Sequence, residues 1–516
     1  MVSKESDYAE QIKQFDDNFS SVVNERVREL SRVFDDCFIN NDSEGTKKAI
    51  QESLSLLKQN YNVPTKMQIC YNIATSYGDL RKYTDEINIE KEIYYFRYAI
   101  DLYETEYLFT FDDDENVERK IAKYIAMRAY TNIGNSMRHV GRYIVAIDCY
   151  NNALIIENKF AMASLNLSFT LFHYAQIQIK PHEQQYYHHA CYNYYEQTKR
   201  FKVNLEDEEY LTRLEETIKN FHQDYVNDFL TKELTLPKFE VKNLAEVDYR
   251  HHILLNRLFL EPCLDILDDI CFAVDSLNLP LSKDEKLINK EFIGLFNQIK
   301  QEYNTARYLW YESTVVRDPL VTDIIKHISD NELDFVILDD TANHSHRENL
   351  LRISFKTTYS IFDRIAFFLN EYFSIGLPRN RVNFKNIWKT ELRDSKGEVD
   401  CQVPNPIMAA YGHNALVKAM YWAQKDFYED KKTNITSPNA EPIFNMRNDM
   451  EHNCIRTVEI IPENIKEYSF TKFTTEYQIE NNTYKLLKLL REIIIYLCLA
   501  INLEENKAKK TKNTTK

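Results

Sequence analysis

Three observations predict an all-α fold for this chain. Only 8 of its 516 residues are glycine and 12 are proline. That is too few for a chain rich in strands and tight turns, because positions with φ > 0 are best filled by glycine. Apolar residues recur at helical spacing over long stretches, as in KEFIGLFNQIKQEYNTARYLWYES from Lys290. The 35 tyrosines and 29 phenylalanines supply the large side chains that fill space between packed helices. The length allows two to four domains with real cores.

Composition also restricts function. The formal net charge of −15 argues against a protein that coats nucleic acid with its whole surface, though not against a local basic site. Nine cysteines are dispersed without a CxxC pair, which reads as reduced thiols in a cytoplasmic setting. The first residues, MVSKESDYAEQIKQFDD, carry no apolar stretch behind their charges, so no signal peptide is expected. The longest apolar run, IIIYLCLAI at residues 493–501, is far short of the ~20 residues that span a bilayer. It reads as the buried part of a last core helix, and no membrane association is expected.

Taken in order, residues 1–46 form an N-terminal helical segment, and helical repeats follow over 47–230. The clearest unit is YTNIGNSMRHVGRYIVAIDCYNNA, residues 130–153. Gly134 and Ala146 are small enough to let two helices approach, Tyr130 and Tyr150 fill the space between them, and Gly141 stands at the turn. With Tyr130 as position 4 of a 34-residue unit, Ile133, Gly134, Met137, Ala146, Tyr150 and Ala153 fall on the knob positions of a tetratricopeptide repeat, which this unit resembles. Asn158 departs from the proline that many such repeats carry. Looser copies begin at Tyr71, Tyr94 and Ala163. The resemblance implies an array that offers a groove to a peptide or protein partner. PHEQQYYHH, from Pro181, approaches HExxH, but the fifth position of that pattern is Tyr186, so paired i, i+4 histidines are lacking. His182, His188 and His189 are read as surface or packing residues, and neither metal nor cofactor is expected.

A linker is expected at 231–245, where Pro237 and the extended FEV break the helical pattern. A C-terminal helical domain follows over 246–503. HHILLNRLFLEPCLDILDDICFAVDSL opens a group of long amphipathic helices, DFVILDD from Asp334 suggests a minor strand, and RISFKTTYSIFDRIAFFLNEYF makes a long helix with an aromatic stripe. Residues 504–516, rich in lysine, are expected to be a disordered basic tail.

The stretch NMRNDMEHNC, residues 445–454, concentrates polar chemistry. Ser437 is expected to cap a helix and Pro438 to occupy its first position. Ile443, Met446, Met450 and Cys454 then make one buried face. At about 100° per residue Arg447 lies on the flank of that face and His452 points away from it, the two diverging by about 140°. Glu451 can pair with Arg447 at i, i+4, a purely structural use, and Asp449 reads as a solvated residue. The arginine-to-histidine spacing alone decides nothing.

With its surroundings this stretch resembles the HEPN superfamily, in a branch that follows tetratricopeptide repeats. The resemblance is carried by Arg447, Asn448 and His452, and by KQEYNTARYLWYES from Lys300, YSIFDRIAFFLNEYF from Tyr359 and HNALVKAMYWAQKDFYED from His413. It implies a helical bundle with metal-independent endoribonuclease activity, with Arg447, His452 and Asn448 as the catalytic residues. It implies that the RNA 2′-OH attacks to leave a 2′,3′-cyclic phosphate. It also implies a toxin or anti-phage role, and a homodimer whose facing helices bring Arg447 of one copy to His452 of the other. The alternative is a non-catalytic scaffold whose C-terminal bundle only dimerises. A transcription regulator would need a basic recognition helix, which neither end shows.

Overall fold

The computed structural model describes residues 13–81, 86–107, 116–201, 212, 216, 240–267, 270, 273–280, 290–315, 329–330, 344–393, 399–404, 407–408, 412–427, 436–461 and 470–514. The chain forms two compact units. The first comprises Met1–Gln176, Gln185–Glu233 and Asp430–Pro438, and the second Ile177–Gln184, Leu234–Glu429 and Asn439–Lys516.

The first unit is a helical array. Residues 13–22 are helical, followed by α1 (Glu25–Ile39), α2 (Ser43–Leu56), α3 (Val63–Leu80), α4 (Glu86–Tyr107), α5 (Val117–His139), α6 (Tyr143–Ile156) and α7 (Ala161–Ala175). Helix α8 (Pro181–Phe201) begins in residues of the second unit. Local chemistry explains several starts. Asn24, Asp42, Asn62 and Asn116 each accept a backbone N–H of the first turn on their side chains, which satisfies donors the helix cannot. Pro64 sits where its missing N–H costs nothing. Consecutive helices pack on one another, α3 on α4, α5 on α6 and α6 on α7.

The expected small and large residues meet in α5 and α6. Gly134, Ala146 and Tyr150 are all buried, and a Cβ on Gly134 would stand 2.5 Å from Cε1 of Tyr150. Tyr150 cannot swing away, because it is fully buried and its hydroxyl donates to Asn135 Oδ1 at 2.8 Å. Gly141 has φ 85° in the turn, where a side chain would be strained. Gly134→Ala is therefore expected to destabilise the array by about 1–3 kcal/mol through overpacking, despite the better helix propensity of alanine. Thermal unfolding against the wild type reads this directly. Of the three histidines read as surface or packing residues, His188 is buried against Phe172, with ring centroids 5.8 Å apart. His189 Nδ1 lies 3.3 Å from the Asn193 amide, and the His182 side chain lies outside those described.

The second unit holds α9 (Leu244–Leu255), α10 (Lys290–Val315), α11 (His346–Tyr372), α12 (Ala415–Ala423), α13 (Ala440–His452) and α14 (Glu476–Thr514). Helix α10 packs on α11, and α14 on α11 and α12. Residues 493–501 of α14 are all buried, as their apolar run predicts. Ser345 accepts the Glu348 N–H at 3.1 Å and starts α11 at the HSHREN stretch. Lys180, near the start of α8, belongs to this unit, where its ammonium lies 2.8 Å from Ser276 Oγ and 2.7 Å from Glu183 Oε1.

The fold is all-α as expected, and four details depart from the sequence reading. The segment from His251 does not open a long helix. It leaves α9 at Leu255, passes through Arg257 at φ 54° and, among the described residues, makes a short 3-10 turn at Pro262–Asp265. Pro262 has no N–H to continue a helix, and buried guanidinium groups take over the freed carbonyls. Arg307 donates to Leu258 O at 3.0 Å, Arg491 donates to Phe259 O, and Arg257 donates to Leu264 O. Second, the unit contains two small sheets. Strands β1 (Lys389–Arg393) and β2 (Val399–Pro404) pair antiparallel, and β3 (Cys454–Val458) and β4 (Thr471–Thr475) pair parallel with Cys454 opposite Thr471. Third, the lysine-rich tail is not disordered, since α14 continues to Thr514. Its lysines and alanine favour helix, and cations suit a helix C-terminus. Fourth, α13 does not begin at Ser437 and Pro438, as described below. DFVILDD lies outside the described residues. Among the described residues no helix is long and apolar enough to cross a membrane.

Candidate active site

Helix α13 starts two residues later than its Ser-Pro signal suggests, with Asn439 as the N-cap and no side-chain capping bond. Its apolar face is shorter than expected. Met446 and Met450 are buried and Ile443 is half-buried. The helix ends at His452, so Cys454 is an exposed strand residue rather than a fourth member of that face. Asp449 terminates the helix. Its carbonyl accepts the Asn453 N–H at 2.9 Å and its carboxylate accepts the Asn453 amide at 2.7 Å. Asp449 is thus half-buried and engaged rather than a freely solvated residue.

The C-terminal end of α13 is held through the strand that follows it. Arg352 of α11 donates to the Ile455 carbonyl and to Thr457 Oγ1, both at 3.0 Å. The Thr457 hydroxyl also donates to Glu348, which pairs with Arg352. Arg347 pairs with Glu476 at 2.9 Å, tying α11 to the first residue of α14. From the middle of α13, Met446 Sδ accepts the buried Asn482 amide at 3.7 Å. His452 thus sits at a helix end whose exit strand is fixed, while its own side chain is 71 % exposed.

Arg447 is the organising group. Its Nη2 lies 3.0 Å from Glu451 Oε2, its Nη1 donates to Asn448 Oδ1 at 3.0 Å, and its Cζ stands 5.7 Å from the centroid of the Tyr359 ring. The Arg447 Nε is buried with no hydrogen-bond partner among the described residues. His452 Nε2 lies 3.9 Å from the same Glu451 Oε2. The expected divergence of about 140° between Arg447 and His452 along the helix therefore does not keep them apart. Arginine is long enough to reach back over one turn, and Glu451, four residues from one and adjacent to the other, stands between both. One protomer brings the two groups to one anionic oxygen.

The floor of the site comes from α11 and the loop after it. Tyr359 and Asp363 lie four residues apart on α11 and therefore share a face. Burial pushes the Tyr359 hydroxyl up to about 12, against the opposing effect of Arg447. Partial desolvation by its neighbours pushes the carboxyl of Asp363, a surface residue, above its usual range, opposed by the Phe384 N–H it accepts and by the charges of Arg447 and Lys385. The Lys385 ammonium stands 4.7 Å from the Phe444 ring of α13. The site is a small cluster of mixed charge, with Arg447, Lys385 and His452 facing Glu451 and Asp363. Arginine fits paired acceptor oxygens and histidine is the side chain suited to proton transfer near neutral pH. Together they can bind a phosphodiester and move a proton. Tyr359, Asp363 and Lys385 were not among the residues singled out from the motif. The first two do lie, at i, i+4 spacing, in YSIFDRIAFFLNEYF, one of the segments that carry the family resemblance.

Residues 282–504 match the family described as LA2681-like HEPN. The match contains α10 through most of α14 and all the site residues above, and it supports a HEPN domain in the C-terminal part of the chain. No curated protein and no solved structure matches the chain.

Proposed function

We propose that the protein is a metal-independent endoribonuclease whose site is built on Arg447 and His452. The observation that carries this reading is their convergence on one anionic oxygen, Glu451 Oε2, at 3.0 and 3.9 Å. The match of residues 282–504 to a HEPN family supports it, because such domains are associated with RNA cleavage. In the proposed reaction the RNA 2′-OH attacks the adjacent phosphorus and the bond to the 5′-oxygen breaks. His452 takes the proton from the 2′-OH or returns one to the leaving 5′-oxygen. Arg447 neutralises the phosphate charge as it builds in the transition state. Asn448 acts through Arg447, whose Nη1 it holds, and is a positioning residue. The products are a 2′,3′-cyclic phosphate and a 5′-hydroxyl.

In this proposal the enzyme is a toxin or anti-phage effector in the cytoplasm. The N-terminal array is a tetratricopeptide-like sensor for a peptide or protein, and the C-terminal domain forms a homodimer. The geometry within one protomer does not by itself require the dimer. Pairing would instead bring two sites together, and light scattering on the purified chain tests it. The nuclease reading is tested by incubating the purified protein with total RNA in excess EDTA. Discrete fragments are the expected result, and intact RNA in the presence of every candidate activator removes the reading.

A second reading has its own observation. Arg447 is engaged by Glu451, Asn448 and the Tyr359 ring, which is what a helix-stabilising residue of a non-catalytic scaffold would show. That reading expects Arg447→Ala to lower stability without altering any activity on RNA.

A further inference from the structure

We propose that the Glu451 carboxylate is a built-in stand-in for the scissile phosphate, keeping the site neutral until RNA displaces it. This rests on the nuclease reading and concerns regulation of the same site. The Glu451 Oε2 occupies the one position that is within 3.0 Å of Arg447 Nη2 and 3.9 Å of His452 Nε2. These are the two groups that the reaction must aim at one phosphate. A carboxylate offers a guanidinium the same pair of acceptor oxygens that a phosphodiester does. The resting site is therefore filled by an oxygen of the correct charge in the correct place.

The contact is built to be displaced. The Glu451 side chain is 39 % exposed and its bond to Arg447 is an i, i+4 pair on a helix surface, a class of interaction that contributes little and yields to a better ligand. The rest of the Arg447 environment does not depend on it. The Tyr359 ring lies beneath the guanidinium, Asn448 accepts from Nη1, and the carboxylate of Asp363, a surface residue, adds its field at the same charge. When Glu451 turns outward, Arg447 remains in place with Nη2 released as a donor. His452, at the exposed helix end, is released with it. A single side-chain rotation thus converts a neutralised pair into a cationic one. In a protein of net charge −15, such a device also keeps stray anions out of the idle site.

The test measures binding separately from cleavage. The probe is a fluorescent 2′-O-methyl RNA oligonucleotide, which offers phosphodiesters but has no free 2′-OH to attack. Its affinity for the full chain is read by anisotropy at fixed salt. Glu451→Gln is expected to tighten binding about three- to ten-fold, the size set by a weak surface ion pair plus the loss of one nearby like charge. Glu441→Gln, an exposed carboxylate in the first turn of the same helix, controls for general repulsion and is expected to change binding by less than about two-fold. In an Arg447→Ala background the gain from Glu451→Gln is expected to vanish. The inference is overturned if Glu451→Gln binds no better than wild type, if the gain survives without Arg447, or if no variant binds the probe. A gain in binding that depends on Arg447, with no cleavage of ordinary RNA, would sustain Glu451 as the group a phosphodiester displaces and remove the nuclease reading, the phosphate then being bound and not cut. Cleavage by wild type without the binding gain would do the reverse.

Discussion

His452→Ala is expected to lower the rate of RNA cleavage by about two to four orders of magnitude, the usual contribution of a positioned general acid or base. The fold should survive, because the His452 side chain is 71 % exposed and sits at the last residue of α13. Arg447→Ala is expected to cost about two to three orders of magnitude, as removal of a transition-state charge stabiliser does. Unlike His452→Ala, it also strips the Tyr359 ring and the Asp363 carboxyl of their cation, so it should lower the melting temperature measurably. The two variants together should be no slower than the worse single one by more than about ten-fold, since groups that act on one phosphate are not additive. Single-turnover rates on one oligonucleotide, beside melting curves for each variant, measure all of this.

The largest stability effect is expected at Arg307. Its guanidinium is 1 % exposed and bonds both oxygens of Asp275, at 2.9 and 2.7 Å, the Leu258 carbonyl and the Tyr249 hydroxyl. Arg307→Ala strips the Asp275 carboxylate of its counter-ion and leaves it only the Leu260 N–H, while the Leu258 carbonyl keeps the Tyr303 hydroxyl, and a loss of about 3 kcal/mol is expected. Asp275→Asn with Arg307→Met should recover part of it, because removing both charges costs less than leaving one without its partner. The pair also sets an acid limit. Burial tends to raise the Asp275 carboxyl, but Arg307 and the Leu260 N–H outweigh it and hold the group below the usual carboxylate range. Its folded-state value is depressed, so its stabilisation is fully present above about pH 4, the ordinary aspartate value. It is lost as pH falls through the lower folded value. Denaturant midpoints of wild type measured from pH 7 down to pH 3 should fall more steeply than those of the double variant.

The sequence carried much of the helical frame because helices are local. Low glycine across the chain, the Gly134–Tyr150 complementarity within one repeat and the apolar run of α14 are each readable without distant partners. What was not legible depends on partners far along the chain. The stretch from His251 looks helical until Arg307 and Arg491, 49 and 232 residues away from the carbonyls they meet, claim its backbone. Cys454 continues the apolar spacing of α13, but the chain there is drawn into a parallel pair with β4. The same reason hid half of the candidate site. Arg447, Asn448 and His452 lie in one short motif, whereas Tyr359, Asp363 and Lys385 reach it from another helix and a loop. Helical-wheel reasoning also overstated the separation of Arg447 and His452, since it places Cα atoms and not the ends of long side chains.

The central claim is that Arg447 and His452 perform 2′-OH chemistry at one phosphate. The most direct test maps the ends of RNA cut in EDTA by wild type and by His452→Ala at equal concentration. Fragments ending in 2′,3′-cyclic phosphate with wild type alone are the predicted result. Equal cutting by His452→Ala, or wild-type fragments ending in a free 3′-hydroxyl, would contradict it.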